Sequence, residues 1–283
     1  MSNLLQINKP LVSVNWLYKH LNATNLVVLN GTLPKVTAAK SVEKTEENQI
    51  LNTRFFDLKN VFSVQGAAFP NTVLQAKDFE KQAQKLGIER DSCIIVYDEH
   101  GVYSAPRVWW LFKTFGFDNI AVLNGGFPAW KNKNYPTEKK EQKKYLVGNF
   151  IANKQENLLI DTEKVLQALD KATIQIVDAR STGRFNATAP EPRKEVRSGH
   201  IPSSKNLPYA NLVSEGKMKS VKELKALFKE VNFNNKEMIF SCGSGITACV
   251  LALGASTVGY DKLSVYDGSW TEWGSLAHVP IEK

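Results

Sequence analysis

The sequence predicts an α/β protein of two similar halves, each a mainly parallel sheet with helices on both faces. Three observations carry that prediction. Short β-branched runs alternate with helical patterns along the chain, the order of elements that covers a parallel sheet on both sides. Motifs of the first half recur in the same order in the second. The 283 residues suffice for about two domains of roughly 100–150 residues each.

The elements follow in order. Leu26-Val27-Val28-Leu29-Asn30 reads as a strand buried on both faces. In the stretch from Lys77 to Gly87, residues Phe79, Ala83 and Leu86 fall on one helical face, and Gly87 suits a C-cap. Ile94-Ile95-Val96-Tyr97 is a second strand, followed by Asp98-Glu99-His100-Gly101-Val102-Tyr103-Ser104-Ala105 and a helical segment. Val122-Leu123-Asn124-Gly125-Gly126-Phe127-Pro128-Ala129-Trp130 then gives a strand and a turn. The second half repeats the plan. Ile174-Gln175-Ile176-Val177-Asp178 matches the first strand, and the stretch from Val221 to Phe228 matches the helix. Met238-Ile239-Phe240-Ser241 leads into a loop at Cys242, and Val265-Tyr266-Asp267-Gly268-Ser269-Trp270-Thr271-Glu272-Trp273 matches the turn. This is duplication at the scale of a domain, not a short solenoid period. The expected domains are residues 1–136 and 158–283, joined by a linker at 137–157. That linker is charged and poor in apolar residues but has no Gly/Ser tract, so an ordered strap is expected.

Bulk properties exclude several classes. The net charge of +8 suits anionic partners. However, lysines alternate with glutamates, as in Glu138-Lys139-Lys140-Glu141-Gln142-Lys143-Lys144, and no recognition motif accompanies them. Small anionic substrates therefore fit better than nucleic acid. Three cysteines, Cys93, Cys242 and Cys249, form no disulfide framework and indicate a reducing compartment. No apolar run is long enough to span a membrane. Met1-Ser2-Asn3-Leu4-Leu5-Gln6 lacks a basic region before an apolar stretch, so a cytoplasmic location is expected. His20, His100, His200 and His278 show no ligand spacing, and no metal or other cofactor is expected.

The most informative residue is Cys242. Its thiol leaves a strand and enters Gly243-Ser244-Gly245-Ile246-Thr247, ahead of a helix-forming run from Ala248 to Ala252. The glycines let several N–H groups converge, and the helix start adds partial positive charge. Both favour a thiolate, so covalent chemistry centred on an exposed Cys242 is expected. Cys93 and Cys249 read as small core residues. Asp98 stands in the first half where Cys242 stands in the second, so the first half reads as catalytically silent. A cysteine-dependent phosphatase requires Cys-x5-Arg, and here that position is Ala248.

Several motifs together resemble the tandem rhodanese-domain sulfurtransferases. They are Tyr266-Asp267-Gly268-Ser269-Trp270-Thr271-Glu272-Trp273-Gly274, Gly199-His200-Ile201-Pro202, Ser104-Ala105-Pro106-Arg107-Val108-Trp109-Trp110 and Asn124-Gly125-Gly126-Phe127-Pro128-Ala129-Trp130. The resemblance implies two tandem rhodanese-like domains and a persulfide carried on Cys242. Thiosulfate-using members carry Cys-Arg-Lys-Gly, whereas members using 3-mercaptopyruvate carry Cys-Gly-Ser-Gly or Cys-Gly-Thr-Gly. Cys242-Gly243-Ser244-Gly245 resembles the second pattern, as does Gly183-Arg184-Phe185-Asn186-Ala187-Thr188-Ala189-Pro190-Glu191-Pro192-Arg193. By that resemblance Arg184 and Arg193 hold the donor, while Gly243, Gly245, Ile246 and Thr247 line the sulfur site. A guanidinium fork also suits a carboxylate on physical grounds. The implied acceptor is a thiol, such as thioredoxin or a small thiol. The resemblance further implies a Ser-His-Asp relay from Ser244 to Asp57 of Phe55-Phe56-Asp57. The expected histidine is replaced by Asn71 in Pro70-Asn71-Thr72-Val73-Leu74, which has no titratable group. The competing readings are a thiosulfate:cyanide sulfurtransferase and a non-catalytic interaction module.

Overall fold

The structure, a computed structural model, describes residues 4–35, 46–141, 143–232 and 235–283. It divides into two compact units. The first comprises Met1–Val64, Val73–Lys154 and Glu215–Lys217, and the second Gln65–Thr72, Gln155–Ser214 and Met218–Lys283.

In the first unit the elements are β1 (Leu11–Val12), α1 (Val14–His20), β2 (Leu26–Asn30), β3 (Asn48–Ile50), β4 (Thr53–Phe55), α2 (Ala76–Lys85), β5 (Cys93–Tyr97), α3 (Ala105–Thr114), β6 (Ile120–Leu123), α4 (Gly126–Lys131) and β7 (Thr137–Lys139). Five strands form a parallel sheet in the order β1-β6-β5-β2-β4. Every residue of the central β5 is buried, which is why it reads as an uninterrupted apolar run. Helix α2 buries Phe79 and Ala83 as its spacing predicts, and Leu86 serves as its C-cap residue. Gly87 follows at φ +68°, and a Cβ there would lie 2.9 Å from the carbonyl oxygen of Leu146.

The expected linker at 137–157 is divided between the units, residues 137–154 packing with the first and 155–157 with the second. Gln142 lies outside the described residues. Backbone bonding explains the division. Strand β7 pairs antiparallel with β3. Gly148 N–H donates to Gln84, Phe150 N–H to Ile88 and Asn153 N–H to Phe115. Phe150 is fully buried.

The second half contains β8 (Leu159–Ile160), α5 (Thr162–Ala168), β9 (Ile174–Asp178), α6 (Thr182–Phe185), β10 (Lys205–Asn206), β11 (Val213–Ser214), β12 (Lys217–Met218), α7 (Val221–Val231), β13 (Glu237–Ser241), α8 (Ala248–Thr257), β14 (Leu263–Tyr266) and α9 (Ser269–Trp273). Its parallel sheet runs β10-β9-β13-β14-β8. Matching β4 to β10, β2 to β9, β5 to β13, β6 to β14 and β1 to β8 reproduces the strand order of the first sheet. The sequence repeat is therefore a repeat of topology. Helix α8 is buried on all sides from Ala248 to Ala255, as expected of an apolar helix without a polar face. Trp270 and Trp273 join Ile239, Tyr266 and Val165 in a core beneath the sheet.

Candidate active site

Three neighbouring parallel strands, β9, β13 and β14, end at the same edge, where sites form in open α/β sheets. After β9 come Ala179 and Arg180, after β13 comes Cys242, and after β14 comes the turn leading to Ser269. Backbone bonds lock these segments together. Ala179 N–H donates to Ser241 O at 2.8 Å, Trp270 N–H to Cys242 O at 2.9 Å, and Thr271 N–H to Gly243 O at 2.9 Å. Cys242 N–H donates to Ser269 Oγ at 3.1 Å. Ser269, at φ +50°, donates its hydroxyl to Tyr266 O at 2.8 Å and lies 4.0 Å from Cys242 Sγ. The turn after β14 thus closes over the thiol, and Cys242 is only 1% exposed. This corrects the expected exposure: the glycines shape the loop, but the turn from the adjacent strand covers it. Gly245 takes φ +76°, Ser244 and Ile246 are buried, and Thr247 is half-buried.

The two arginines differ in their electrostatic surroundings. Arg184 presents Nε and Nη2 to Glu191 at 3.2 and 2.5 Å. Arg180 Nη1 reaches the same carboxylate at 2.8 Å. Arg180 also forks onto Asp178 through Nε at 2.9 Å and Nη2 at 2.6 Å, and it lies over the Trp270 ring. These two cations and two carboxylates balance. A Cβ on Gly243 would lie 3.3 Å from Arg184 Nη2, so the guanidinium packs against the residue that follows Cys242. Arg193 Nη1 donates to Thr271 Oγ1 at 3.1 Å, and Thr271 Oγ1 donates to Gly243 O at 2.5 Å. No carboxylate among the described residues pairs with Arg193. Arg184 is therefore a compensated, fixed fork, and Arg193 an uncompensated cation tied to the same glycine. His200, whose Nδ1 bonds Phe185 O at 3.0 Å while its ring stacks on Phe185, fixes the loop beyond α6.

Asn71, which packs with the second unit, places Nδ2 3.2 Å from both the carbonyl oxygen and Oγ of Ser244. Asp57 belongs to the first unit, where both its carboxylate oxygens accept from the Asn60 side chain and Oδ1 also accepts from Asn60 N–H. It closes a turn there. Cys93 is a core residue whose thiol burial pushes its pKa up to about 12. Cys249 is buried and donates its Sγ hydrogen to Gly245 O. Among the described residues no group of three or more His, Cys, Asp or Glu is placed to hold a metal ion. No helix of these residues is long and apolar enough to cross a membrane.

The first unit shows what the loop shape does. Asp98 Oδ2 accepts from Tyr103, Ser104 and Ala105 N–H, each at 2.9 Å, and Oδ1 accepts from His100 N–H. Burial pushes this carboxyl's pKa up, against the downward pull of those donors and of His100. A loop of this form is an anion cradle, and in the first unit the protein's own carboxylate fills it. Reading sequence alone missed Glu191, Ser269 and Thr271. The recurrence of the turn in both halves was the signal for the last two, and a glutamate between two arginines was the signal for the first.

These observations define an α/β protein with a buried thiol just beyond the carboxyl end of a central parallel strand. The rhodanese-like domain family matches residues 38–133 and 161–276, and the chain belongs to that family, among its two-domain sulfurtransferases. It is 37% identical to 3-mercaptopyruvate sulfurtransferase of Mus musculus over 278 residues, covering 95% of this chain and 93% of that protein. It is 35% identical to thiosulfate sulfurtransferase of Bos taurus over 277 residues, covering 94% of this chain and 92% of that one. The fold is shared with the crystal structure of SseA from Escherichia coli, described as a 3-mercaptopyruvate sulfotransferase. That match has a TM-score of 0.81 and 31% identity, covering 93% of this chain and 99% of that one.

Proposed function

We propose that this sulfurtransferase takes sulfur from 3-mercaptopyruvate through a persulfide on Cys242 and passes it to a thiol. One observation carries the choice of donor: Arg184 packs against Gly243 while Arg193 is tied to its carbonyl through Thr271. A side chain on residue 243 would press on the Arg184 guanidinium, so cations reach this loop from the segment 183–193 and not from the loop itself. Two guanidinium groups suit the carboxylate and adjacent carbonyl of a keto acid.

The thiolate of Cys242 attacks the donor's sulfur. A sulfur–sulfur bond forms as the carbon–sulfur bond breaks, and its electron pair leaves as pyruvate enolate. The proton of the donor's thiol balances the enolate carbon, leaving pyruvate and an anionic persulfide. By analogy with the amides that hold Asp98, the N–H groups of Ser244, Ile246, Thr247 and Ala248 hold the outer sulfur's charge. An incoming thiolate then takes that sulfur and regenerates Cys242. Thioredoxin or a small thiol fits this role, and the reducing cytoplasm supplies both.

The test compares pyruvate release from 3-mercaptopyruvate with sulfur release from thiosulfate, with Cys242→Ser as control. Preference for the keto acid and loss of turnover in the serine variant are expected. A large preference for thiosulfate sinks the donor, and retained turnover in Cys242→Ser sinks the mechanism. Arg193→Ala should raise KM for 3-mercaptopyruvate about tenfold, matching loss of roughly 1.4 kcal/mol of charge-assisted binding.

A further inference from the structure

Asn71 approaches Ser244 through a geometry with one chemical solution. Its amide group lies 3.2 Å from the Ser244 carbonyl oxygen and 3.2 Å from Ser244 Oγ. A carbonyl oxygen only accepts, so the amide atom facing it is the NH2 group and not the oxygen. The two protons of that group then serve the two oxygens, and Ser244 Oγ is the acceptor in its bond to Asn71. The single hydroxyl proton of Ser244 is thereby turned away from residue 71.

The backbone supports this assignment. Asn71 has φ +63°, a left-handed conformation that asparagine tolerates better than most residues. The side chain reaches a loop 173 positions away in sequence, two residues beyond Cys242. Ser244 is 7% exposed, so an amide that fixes its rotor acts with little competition from water.

We propose that Asn71 is a positioning residue that fixes Ser244 as a hydrogen-bond donor to the carbonyl oxygen of the sulfur donor, where enolate charge develops. This rests on the keto-acid reading above. Ser244 gives up no proton to residue 71. It donates a hydrogen bond that strengthens as the carbon–sulfur bond breaks, and the proton that completes pyruvate comes from the donor's own thiol. The dependence on pH follows directly: residue 71 carries no ionisation, so it adds none to the rate profile.

The experiment measures steady-state kcat and KM for pyruvate release from 3-mercaptopyruvate from about pH 5.5 to 9. The variants are Asn71→Gly, Asn71→Asp, Ser244→Ala and the Asn71→Gly/Ser244→Ala pair. Glycine accepts the left-handed backbone, so Asn71→Gly removes the amide without adding strain, and unchanged melting confirms folding. The expected result is a roughly tenfold fall in kcat for Asn71→Gly with KM within about twofold. Asn71→Asp turns the bond round and should lose more rate, with a new ionisation in its pH profile. The double variant should be no slower than Ser244→Ala by more than about twofold. Wild-type kcat in Asn71→Gly, or losses that multiply in the double variant, overturn the proposal. Failure of the wild type to release pyruvate from 3-mercaptopyruvate would overturn the keto-acid reading itself, and this role with it.

Discussion

Glu191 is the residue on which the arrangement of the arginines depends. Its carboxylate is 5% exposed and receives Arg184 Nε and Nη2 as well as Arg180 Nη1. In Glu191→Gln one oxygen remains as an acceptor, while the other becomes an NH2 group facing a guanidinium N–H. The balanced set of Arg180, Arg184, Asp178 and Glu191 then carries an uncompensated positive charge, with Arg180 fully buried. Each lost charge-assisted bond costs about 1.5–3 kcal/mol. Arg180 keeps its fork on Asp178 and its bond to Gly199 O, which places the expected loss near 3 kcal/mol, short of the upper range for breaking a buried pair. For a unit of this size that corresponds to roughly 10 °C in Tm. Arg184, released from its tether against Gly243, should hold the donor less well, raising KM about tenfold. Thermal unfolding and steady-state kinetics with 3-mercaptopyruvate measure both effects. Glu191→Asp, which keeps the charge but is one methylene shorter, should fall between the two. A Tm within about 2 °C of wild type together with an unchanged KM would refute the role assigned to this carboxylate.

Two further predictions concern stability. Asp98→Asn places an amide NH2 against a backbone N–H in the filled cradle of the first unit. It should cost about 1–3 kcal/mol in urea unfolding while leaving turnover intact. A neutral substitution would mean that the four N–H bonds do not hold that loop. Ser220→Ala removes the capping box of α7, in which Ser220 Oγ accepts from Glu223 N–H and Glu223 accepts from Ser220 N–H, and should cost about 1 kcal/mol at neutral pH. The Ser220 hydroxyl and backbone N–H hold the Glu223 carboxyl below its ordinary pKa. A depressed value stabilises the fold above the unfolded pKa of about 4.3 and fades as pH falls through the folded value. The difference between wild type and variant should therefore narrow below about pH 4, and a gap independent of pH would remove Glu223 from the cap.

Sequence by itself determined the duplicated α/β plan, because buried parallel strands leave uninterrupted apolar runs and amphipathic helices leave a spacing. Met238 to Ser241 and Ile94 to Tyr97 are legible in that way, as are Phe79 and Ala83 on α2. It also singled out Cys242, since a thiol at the end of such a strand before Gly243-Ser244-Gly245 has a local chemical meaning. Local pattern carries no information about which distant segment covers a loop. Only tertiary structure decided that the turn at Ser269 closes over Cys242, so that the thiol is buried. It decided also that Glu191 neutralises Arg184 but leaves Arg193 uncompensated, and that the amide of Asn71 meets Ser244. The cover over Cys242 depends on β13 and β14 ending at one sheet edge. The Asn71 contact joins residues 173 positions apart, and Arg184 meets Glu191, seven residues on, through the fold of the loop between them. Hydrogen bonds and ion pairs of this kind are set by position in space, and no periodicity along the chain records them.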